Sequence, residues 1–72
     1  MSVELWTKPN CPNCDRTQMM LKQRGIDYSI RSFIEEPQLL DEAKARGFAS
    51  APVVIAGDDA WCGLRPDKIV TL

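Results

Sequence analysis

Two cysteines stand at a spacing that suits thiol-disulfide chemistry. Cys11 and Cys14 enclose two residues in the run Cys11-Pro12-Asn13-Cys14. If this run begins a helix, the two thiols lie about one turn apart and can join in a disulfide. The chain has no histidine, which excludes a Cys-His nucleophile pair and every zinc site with an imidazole ligand. Thiol exchange is therefore the chemistry that these residues favour.

The residues on either side of the motif predict a strand before it and a helix after it. In residues 2–7, Val3 and Leu5 fall on one side of the chain with the period of two that is typical of a strand. Residues 12–24 have helical spacing, and Gly25 suits a left-handed C-cap. Cys11 is thus expected at the helix N-terminus, where free N–H groups and the helix dipole stabilise a thiolate and lower its pKa.

The same placement gives the other residues of the motif separate roles. Pro12 fits the first turn, in which no backbone N–H is needed. Cys14 is expected to face inward, on a helix face that it shares with Thr17, Gln18 and Leu21. Cys11 is expected to be exposed. An exposed nucleophile with a resolving thiol behind it is the minimum that disulfide exchange requires.

Three other interpretations of the cysteines are possible, and the residues favour each of them less than the redox one. A zinc site needs four ligands, and Cys62 is the only further thiol. Inert core cysteines fit poorly, because a Pro-Asn-Cys sequence at a helix start is poorly suited to burial of Cys11. A static disulfide is rarely kept by a cytosolic chain. A C-x-x-C near a strand-helix-strand pattern favours the redox interpretation.

Periodicity and turn residues predict the remaining elements. Ile26, Tyr28 and Ile30 alternate with polar residues as a second strand would, and a second helix is expected from Pro37 to Gly47. The later elements are a buried strand over 53–56, a turn over 57–59, a return strand over 60–62 and a short helix that begins at 66. The order is βαβ-α-ββα, which predicts one α/β domain over 1–72.

Composition excludes several classes of partner. Nine basic and ten acidic residues give a net charge of −1, and the basic residues form no stripe, so no nucleic acid partner is expected. The longest apolar run, 53–56, is far short of the ~20 residues of a membrane span. Asp58 and Asp59 lack a third acid or a histidine, and no metal site is predicted. We expect a cytoplasmic protein that does not bind membranes.

A second signature lies in residues 52–67, which read Pro-Val-Val-Ile-Ala-Gly-Asp-Asp-Ala-Trp-Cys-Gly-Leu-Arg-Pro-Asp. With the cysteine motif in the expected order before it, the chain resembles the thioredoxin superfamily and, within it, the NrdH-type redoxins over essentially its whole length. That family carries Trp-Ser-Gly-Phe-Arg-Pro-Asp. The matching residues are Trp61, Gly63, Arg65, Pro66 and Asp67, whereas Cys62 replaces Ser and Leu64 replaces Phe.

The resemblance implies a thioredoxin fold, with a four-stranded mixed sheet and three helices. It also implies a monomeric dithiol-disulfide oxidoreductase with no bound cofactor. Such redoxins take electrons from NADPH through thioredoxin reductase and pass them to the disulfide of class Ib ribonucleotide reductase. By the same resemblance, Cys11 is the attacking thiolate and Cys14 the resolving thiol.

The resemblance also assigns supporting and partner-binding residues. Pro52 is expected to be the cis-proline beside the active site, with a partner's backbone running along Ala51-Pro52 as an extra strand. Thr7 and Lys8 precede the motif as in relatives, and Pro12 and Asn13 lie inside it. The residues expected to contact partners are Ala51, Trp61, Gly63, Arg65, Pro66 and Asp67.

Two other functions remain open at this stage. Pro12 is typical of glutaredoxins, so a glutathione-dependent oxidoreductase is an alternative, against which the bulky Arg65 stands near the position of glutathione-holding residues. The fold also serves redox sensors and non-catalytic binding modules. The presence of both thiols, with nothing appended to supply an output, favours an electron carrier.

Three individual residues also have open interpretations. Cys62 is either a buried residue of serine size or an auxiliary thiol that forms adducts under oxidation. Trp61 is either core or a partner contact. Leu5 stands where thioredoxins carry a buried Asp that helps to deprotonate the resolving thiol. Cys14 is therefore predicted to lose its proton to water, to the departing Cys11 thiolate or to another nearby group.

Overall fold

A computed structural model describes residues 2–72; the predicted domain's first residue, Met1, lies outside the described residues. Four strands and three helices follow one another along the chain, namely β1 (Val3–Thr7), α1 (Pro12–Gln23), β2 (Ser29–Ser32), α2 (Gln38–Ala45), β3 (Val53–Ala56), β4 (Asp59–Cys62) and α3 (Pro66–Ile69). The strands form one sheet in the order β2-β1-β3-β4. β1 and β2 are parallel, whereas β1 and β3, and also β3 and β4, are antiparallel. The predicted mixed sheet with three helices is confirmed.

One face of the sheet is covered by α1 and α3. The register pairs Leu5 with Val54 and Val54 with Trp61, so these three side chains share a face. Leu21 from α1 and Ile69 from α3 pack against them, and both are fully buried. Because α1 also begins with the cysteine motif, this packing fixes the position of the motif relative to the sheet.

The opposite face is covered by α2. Trp6 of β1 and Val53 of β3 pack there with Leu39 and Ala43 of α2. Phe33, just after β2, contacts Trp6 edge to face, with ring centroids 6.2 Å apart and planes at 86°. The sheet therefore divides the core into two layers.

The second strand lies later in the chain than its alternation predicts. β2 runs from Ser29 to Ser32, and Ile30 is 51% exposed on this edge strand. Ile26 and Tyr28 are half-buried and pack beside the core without being part of a strand. The predicted strand is wrong at its start because these two side chains fill space next to the α1 face, and pairing with β1 begins only at Ser29.

The hairpin between β3 and β4 is also tighter than expected. The predicted turn included Asp59, but Asp59 pairs with Ala56 as the first residue of β4. Gly57, with φ of 62°, and Asp58 make the turn alone, and glycine adopts this left-handed conformation without a steric cost. Within residues 2–72, no helix has the length and apolar character to cross a membrane.

Candidate functional site

The cysteine pair lies at the start of α1, as predicted. Cys11 is the N-cap residue with an extended backbone, and its Sγ accepts a hydrogen bond of 3.1 Å from the backbone N–H of Cys14. Pro12 occupies the first turn of the helix. Cys11 and Cys14 form a disulfide, with their Cα atoms 5.2 Å apart. An N–H directed at Sγ stabilises negative charge on Cys11 once the disulfide is reduced.

The exposure of the two cysteines differs from the prediction in one respect. Cys14 faces inward as expected and is 3% exposed, whereas Cys11 is only 8% exposed. The expected exposure of Cys11 is wrong for this disulfide-bonded structure, because an N-cap side chain turns back over the first turn of its helix. Residues 2–72 bring together no group of three or more His, Cys, Asp or Glu that could hold a metal ion.

A tight turn brings the chain from β1 into the motif. Asn10 has φ of 57°, a left-handed conformation that asparagine tolerates better than most residues. Because Asn10 directly precedes Cys11, this conformation lets the chain reverse within residues 8–10 and presents Cys11 at the helix N-terminus.

The sheet register places Pro52 next to this turn. Trp6, near the end of β1, pairs with Val53, the first residue of β3. Thr7 and Pro52 therefore lie next to each other, where β1 ends and β3 begins. The Ala51–Pro52 peptide bond is cis, as the resemblance implied, and Pro52 is fully buried. The structure thus brings the predicted proline beside the predicted cysteine turn.

Within the second signature, Gly63 is hydrogen-bonded to Pro52 through the backbone. The N–H of Gly63 donates a 2.8 Å hydrogen bond to the carbonyl oxygen of Pro52. Gly63 has φ of 79°, which allows the chain to leave β4 and turn towards α3. Gly63 is therefore held against Pro52, at the end of the sheet where β1 leads into the cysteine turn.

Arg65 and Asp67 form an exposed ion pair at the start of α3. The guanidinium donates hydrogen bonds of 3.1 Å and 2.9 Å to the two carboxylate oxygens. The Arg65 guanidinium holds the pKa of Asp67 below its ordinary value, and the hydrogen bonds to Asp67 raise the pKa of Arg65. Asp67 therefore carries a negative charge that Arg65 already neutralises.

An apolar groove adjoins the site. It has a volume of about 600 Å³ and extends from Lys8, beside the cysteine turn, to Ala51, before the cis-proline. Its remaining walls come from the loop after β2, from α2 and from the loop after α2, and they include Phe33, Ile34, Leu40, Lys44 and Phe48. Local spacing in the sequence does not predict this groove, because its walls come from separate segments. Ile34 and Leu40, which line it, are 68% and 48% exposed.

The comparisons with known proteins agree with this geometry. The family model for glutaredoxins matches residues 3–61. The glutaredoxin-like protein NrdH of Salmonella typhimurium is 38% identical over 69 residues, covering 96% of this chain and 85% of that protein. The NrdH of Lactococcus lactis subsp. cremoris is 29% identical over 70 residues and covers 97% of both. The chain belongs to the glutaredoxin family, as an NrdH-type redoxin.

Solved structures support the same assignment for this redoxin. NrdH-redoxin from Escherichia coli, a glutaredoxin-like protein with a thioredoxin-like activity profile, superposes with a TM-score of 0.96 at 36% identity, covering 100% of this chain and 95% of that one. A glutaredoxin from Archaeoglobus fulgidus gives a TM-score of 0.82 at 28% identity, covering 97% and 83%. The thioredoxin fold is confirmed, and the redoxin is a thiol-disulfide oxidoreductase.

Trp61 is part of the core of this redoxin. It is 3% exposed and packs with Leu5, Val54 and Ile69 on the face covered by α1 and α3. The prediction that its side chain contacts a partner is wrong for this structure, because the pairing of β4 with β3 points the ring into that layer. The core interpretation of Trp61 is the correct one.

Cys62 lies on the other face of the sheet from Trp61. It is half-buried, packs against the layer that contains Val53, and accepts a 3.6 Å hydrogen bond from the Ser50 hydroxyl. Neighbouring strand residues point to opposite faces, so Cys62 and Trp61 belong to different layers. A half-buried thiol next to a hydroxyl fits the interpretation as a residue of serine size, and the auxiliary role stays a prediction.

Proposed function

We propose that this redoxin takes electrons from NADPH through thioredoxin reductase and passes them to the disulfide of class Ib ribonucleotide reductase. The observation that carries the choice of electron source is the Arg65–Asp67 ion pair. The likeness to the Escherichia coli NrdH-redoxin, with its thioredoxin-like activity profile, supports that choice. The reductase as electron acceptor follows from the resemblance to NrdH-type redoxins.

The ion pair opposes glutathione binding for an electrostatic reason. Glutathione carries an ammonium group, which a free carboxylate near the active site could bind. Asp67 is held by two hydrogen bonds from Arg65, so an ammonium would have to displace a bidentate guanidinium. Arg65 also adds a positive charge at the place where that ammonium would have to approach.

The apolar groove supports a protein as the partner. Aromatic and aliphatic side chains dominate its walls, and such a surface gains free energy by covering apolar side chains of another protein. Lys8 and Lys44 also line the groove and can contact acidic residues of the same partner. We propose that thioredoxin reductase or ribonucleotide reductase uses this surface when its sulfur atoms reach Cys11.

The reaction proceeds by two successive thiol-disulfide exchanges. The Cys11 thiolate attacks one sulfur of the partner's disulfide, which forms a mixed disulfide and releases the partner's first thiolate. Cys14 then attacks the sulfur of Cys11, so the intramolecular disulfide forms and the partner leaves fully reduced. Thioredoxin reductase supplies two electrons that reopen the Cys11–Cys14 bond.

The supporting residues keep the roles that the resemblance gave them, Trp61 excepted. We propose that the partner's extended backbone pairs with the chain at Ala51 and Pro52. Gly63, Arg65, Pro66 and Asp67 would form the adjoining contact surface. Thr7 and Lys8 hold the turn before the motif, and Pro12 and Asn13 present the exposed rim above the disulfide. We further propose that residues 1–72 act as a single-domain monomer in the cytoplasm.

The test compares two electron sources in one assay. The oxidation of NADPH is followed with insulin as the disulfide substrate. One arm contains thioredoxin reductase, and the other contains glutathione with glutathione reductase. We expect turnover in the thioredoxin reductase arm only, and the next step in that arm is to replace insulin by a class Ib ribonucleotide reductase and measure deoxyribonucleotide formation.

Each other outcome contradicts the proposal in a defined way. Turnover in the glutathione arm alone would make the chain a glutathione-dependent glutaredoxin, as Pro12 suggests. A lack of turnover in both arms, with a protein whose thiols still oxidise and reduce, would favour the redox sensor or the binding module. Turnover of insulin without turnover of ribonucleotide reductase would reject only the proposed electron acceptor.

A further inference from the structure

Thr17 carries a buried hydroxyl that the fold does not use. Among residues 2–72, it is the only polar or charged residue that is buried, with 0% exposure. Its Oγ1 has no hydrogen-bond partner within those residues. A threonine in a helix often donates to a carbonyl three or four residues earlier, and Thr17 does not. Burying an unpaired hydroxyl costs free energy, and a hydrogen-bond acceptor in another state of the protein would offset that cost.

Thr17 lies one helical turn after the resolving cysteine, on the same buried face of α1. Cys14, Thr17 and Leu21 are the buried residues of α1, so all three face the sheet. Residues three apart on a helix are neighbours, and side chains tilt towards the helix N-terminus. The side chain of Thr17 therefore covers the turn that carries Cys14.

In the oxidised structure the hydroxyl does not bond to Cys14. The sulfur of Cys14 is bonded to Cys11, and a disulfide sulfur is a weak acceptor. In the mixed disulfide with a partner, the sulfur of Cys14 is free and must become a thiolate before it attacks. A thiolate is a strong acceptor, so a partner for the hydroxyl exists only during that step.

Among residues 2–72, no carboxylate is buried beside Cys14 to assist this step. Leu5, at the position where thioredoxins carry a buried Asp, is fully buried in the same layer as Leu21. Cys14 itself is 3% exposed, so its thiolate is largely removed from water. Desolvation disfavours a thiolate, and a nearby donor offsets that cost. Thr17 is the fully buried donor on the same helix face.

We propose that the Thr17 hydroxyl donates a hydrogen bond to the Cys14 thiolate while that thiolate attacks Cys11 in the mixed disulfide. The Cys14–Cys11 S–S bond forms, and the bond between Cys11 and the partner's sulfur breaks. The partner's sulfur leaves with the electron pair and takes up the proton that Cys14 released to solvent. Thr17 keeps its own proton and acts as a stabilising donor, not as a base.

This role depends on dithiol exchange and is independent of the proposed reductase and acceptor. The test therefore uses the aromatic disulfide DTNB in place of a protein partner. Reduced protein releases one thionitrobenzoate when Cys11 attacks the reagent and a second when Cys14 resolves the mixed disulfide. The background is Cys62→Ser in every variant, so the third thiol does not react. Stopped-flow absorbance separates the two phases.

The variants compared are Thr17→Val, which removes only the hydroxyl, and Thr17→Ser, which keeps it. We expect Thr17→Val to slow the second phase at pH 7 by about tenfold, the effect of one hydrogen bond to a charged group, and to move the midpoint of its pH dependence upward. The first phase should not change. Thr17→Ser should resolve the mixed disulfide within about twofold of the parent, because a hydroxyl donor remains.

The ionisable groups around α1 are the same in all variants, so a difference in pH dependence reports the hydroxyl alone. Those groups are Cys11, Asp15, Arg16, Lys22 and Arg24 at or on α1, Tyr28 beside the core on the α1 side, Asp59 on β4, Arg65, Asp67 and Lys68 at or on α3, and Lys8 in the turn. Equal second-phase rates and midpoints for the parent and Thr17→Val would overturn the proposal.

Thermal unfolding of the oxidised proteins provides the control for folding. Because the hydroxyl has no partner in the oxidised state, Thr17→Val should leave the melting temperature unchanged or raise it. A slower second phase with an unchanged or higher melting temperature supports the proposal. A lower melting temperature together with equal slowing in Thr17→Val and Thr17→Ser would mean that Thr17 acts only in packing, which contradicts it.

Discussion

Arg65 binds both carboxylate oxygens of Asp67, through Nε at 3.1 Å and through Nη2 at 2.9 Å. The ion pair lies on the surface at the start of α3. Gly63, two residues before Arg65, donates a backbone hydrogen bond to Pro52. A negative charge that a glutaredoxin could offer to glutathione is therefore neutralised within the chain itself. We propose that the choice between glutathione and thioredoxin reductase as the electron source depends on this contact.

Replacing the arginine should change the preference for the electron source. We expect Arg65→Ala to raise turnover with glutathione by about two- to fivefold, the scale of an exposed ion pair, and to lower turnover with thioredoxin reductase. Asp67 then keeps its charge but loses the cation that neutralises it. Arg46→Ala, which removes an equal charge at the end of α2, is the control and should change neither rate. An unchanged preference in Arg65→Ala would separate the ion pair from glutathione discrimination.

Replacing each of the two active-site cysteines should block a different step of the reaction. Cys11→Ser removes the attacking thiolate and should abolish turnover. Cys14→Ser retains attack but not resolution, so the mixed disulfide with a partner should accumulate. Intact-mass spectrometry under non-reducing conditions detects that adduct. Equal residual activity in the two variants would contradict the assigned roles.

The third cysteine should be dispensable for turnover. Cys62→Ser keeps a group of similar size beside the Ser50 hydroxyl, so the free energy of unfolding should change by less than about 1 kcal/mol. Turnover should stay within about twofold. If Cys62 is nevertheless an auxiliary thiol, peroxide should produce an adduct or a dimer of the parent that Cys62→Ser does not form. A product that persists in Cys62→Ser would exclude that role.

An ion network across β1 and β2 should make stability depend on pH. The Arg31 guanidinium forms ion pairs with the carboxylates of Glu4 and Glu36, with N···O distances of 3.1 Å and 2.7 Å. A hydrogen bond from Trp6 and then one from Arg31 lower the pKa of Glu4, and a hydrogen bond from Arg31 lowers that of Glu36, from the ordinary 4.5. The unfolded chain thus binds protons more readily, and this stabilisation is complete above pH 4.5 and is lost as the pH falls through the lowered values.

The pH effect is measured from melting temperatures between pH 7 and pH 3. Glu36→Gln removes one carboxylate of the network, so its melting temperature should be slightly lower at pH 7 and should fall less on acidification than that of the parent. Asp41→Asn, which removes an exposed carboxylate from α2, is the control and should follow the parent. A parallel fall for Glu36→Gln and the parent would show that the network does not contribute.

Two residues of α1 should differ strongly in their contribution to stability. Leu21 is 0% exposed and packs under the sheet, whereas Met19 is 57% exposed on the same helix. We expect Leu21→Ala to lower the free energy of unfolding by about 2–5 kcal/mol through a cavity. Met19→Ala should lower it by about 0.5 kcal/mol or less. Urea denaturation measures both, and similar losses would show that α1 does not pack as described.

The sequence alone determined the elements and the reactive pair. Alternating or helical spacing, Pro12 at a helix start and glycines at turns act over a few residues, so the order of strands and helices and the position of Cys11 and Cys14 could be predicted. The same local signals misplaced the start of β2, because alternation at Ile26 and Tyr28 also suits side chains that pack beside a core. Pairing with β1, which decides the matter, is a contact with a distant part of the chain.

Only the tertiary structure decided which side chains are buried and which can contact a partner. The pairing of β4 with β3 turns Trp61 into the core, and the capping position of Cys11 folds it over its helix. The apolar groove joins walls from separate segments, and the hydrogen bond from Gly63 to Pro52 joins positions eleven residues apart. The unpartnered hydroxyl of Thr17 likewise appears only once α1 is packed on the sheet. Burial and long-range contacts follow from how the layers pack, so local spacing cannot determine them.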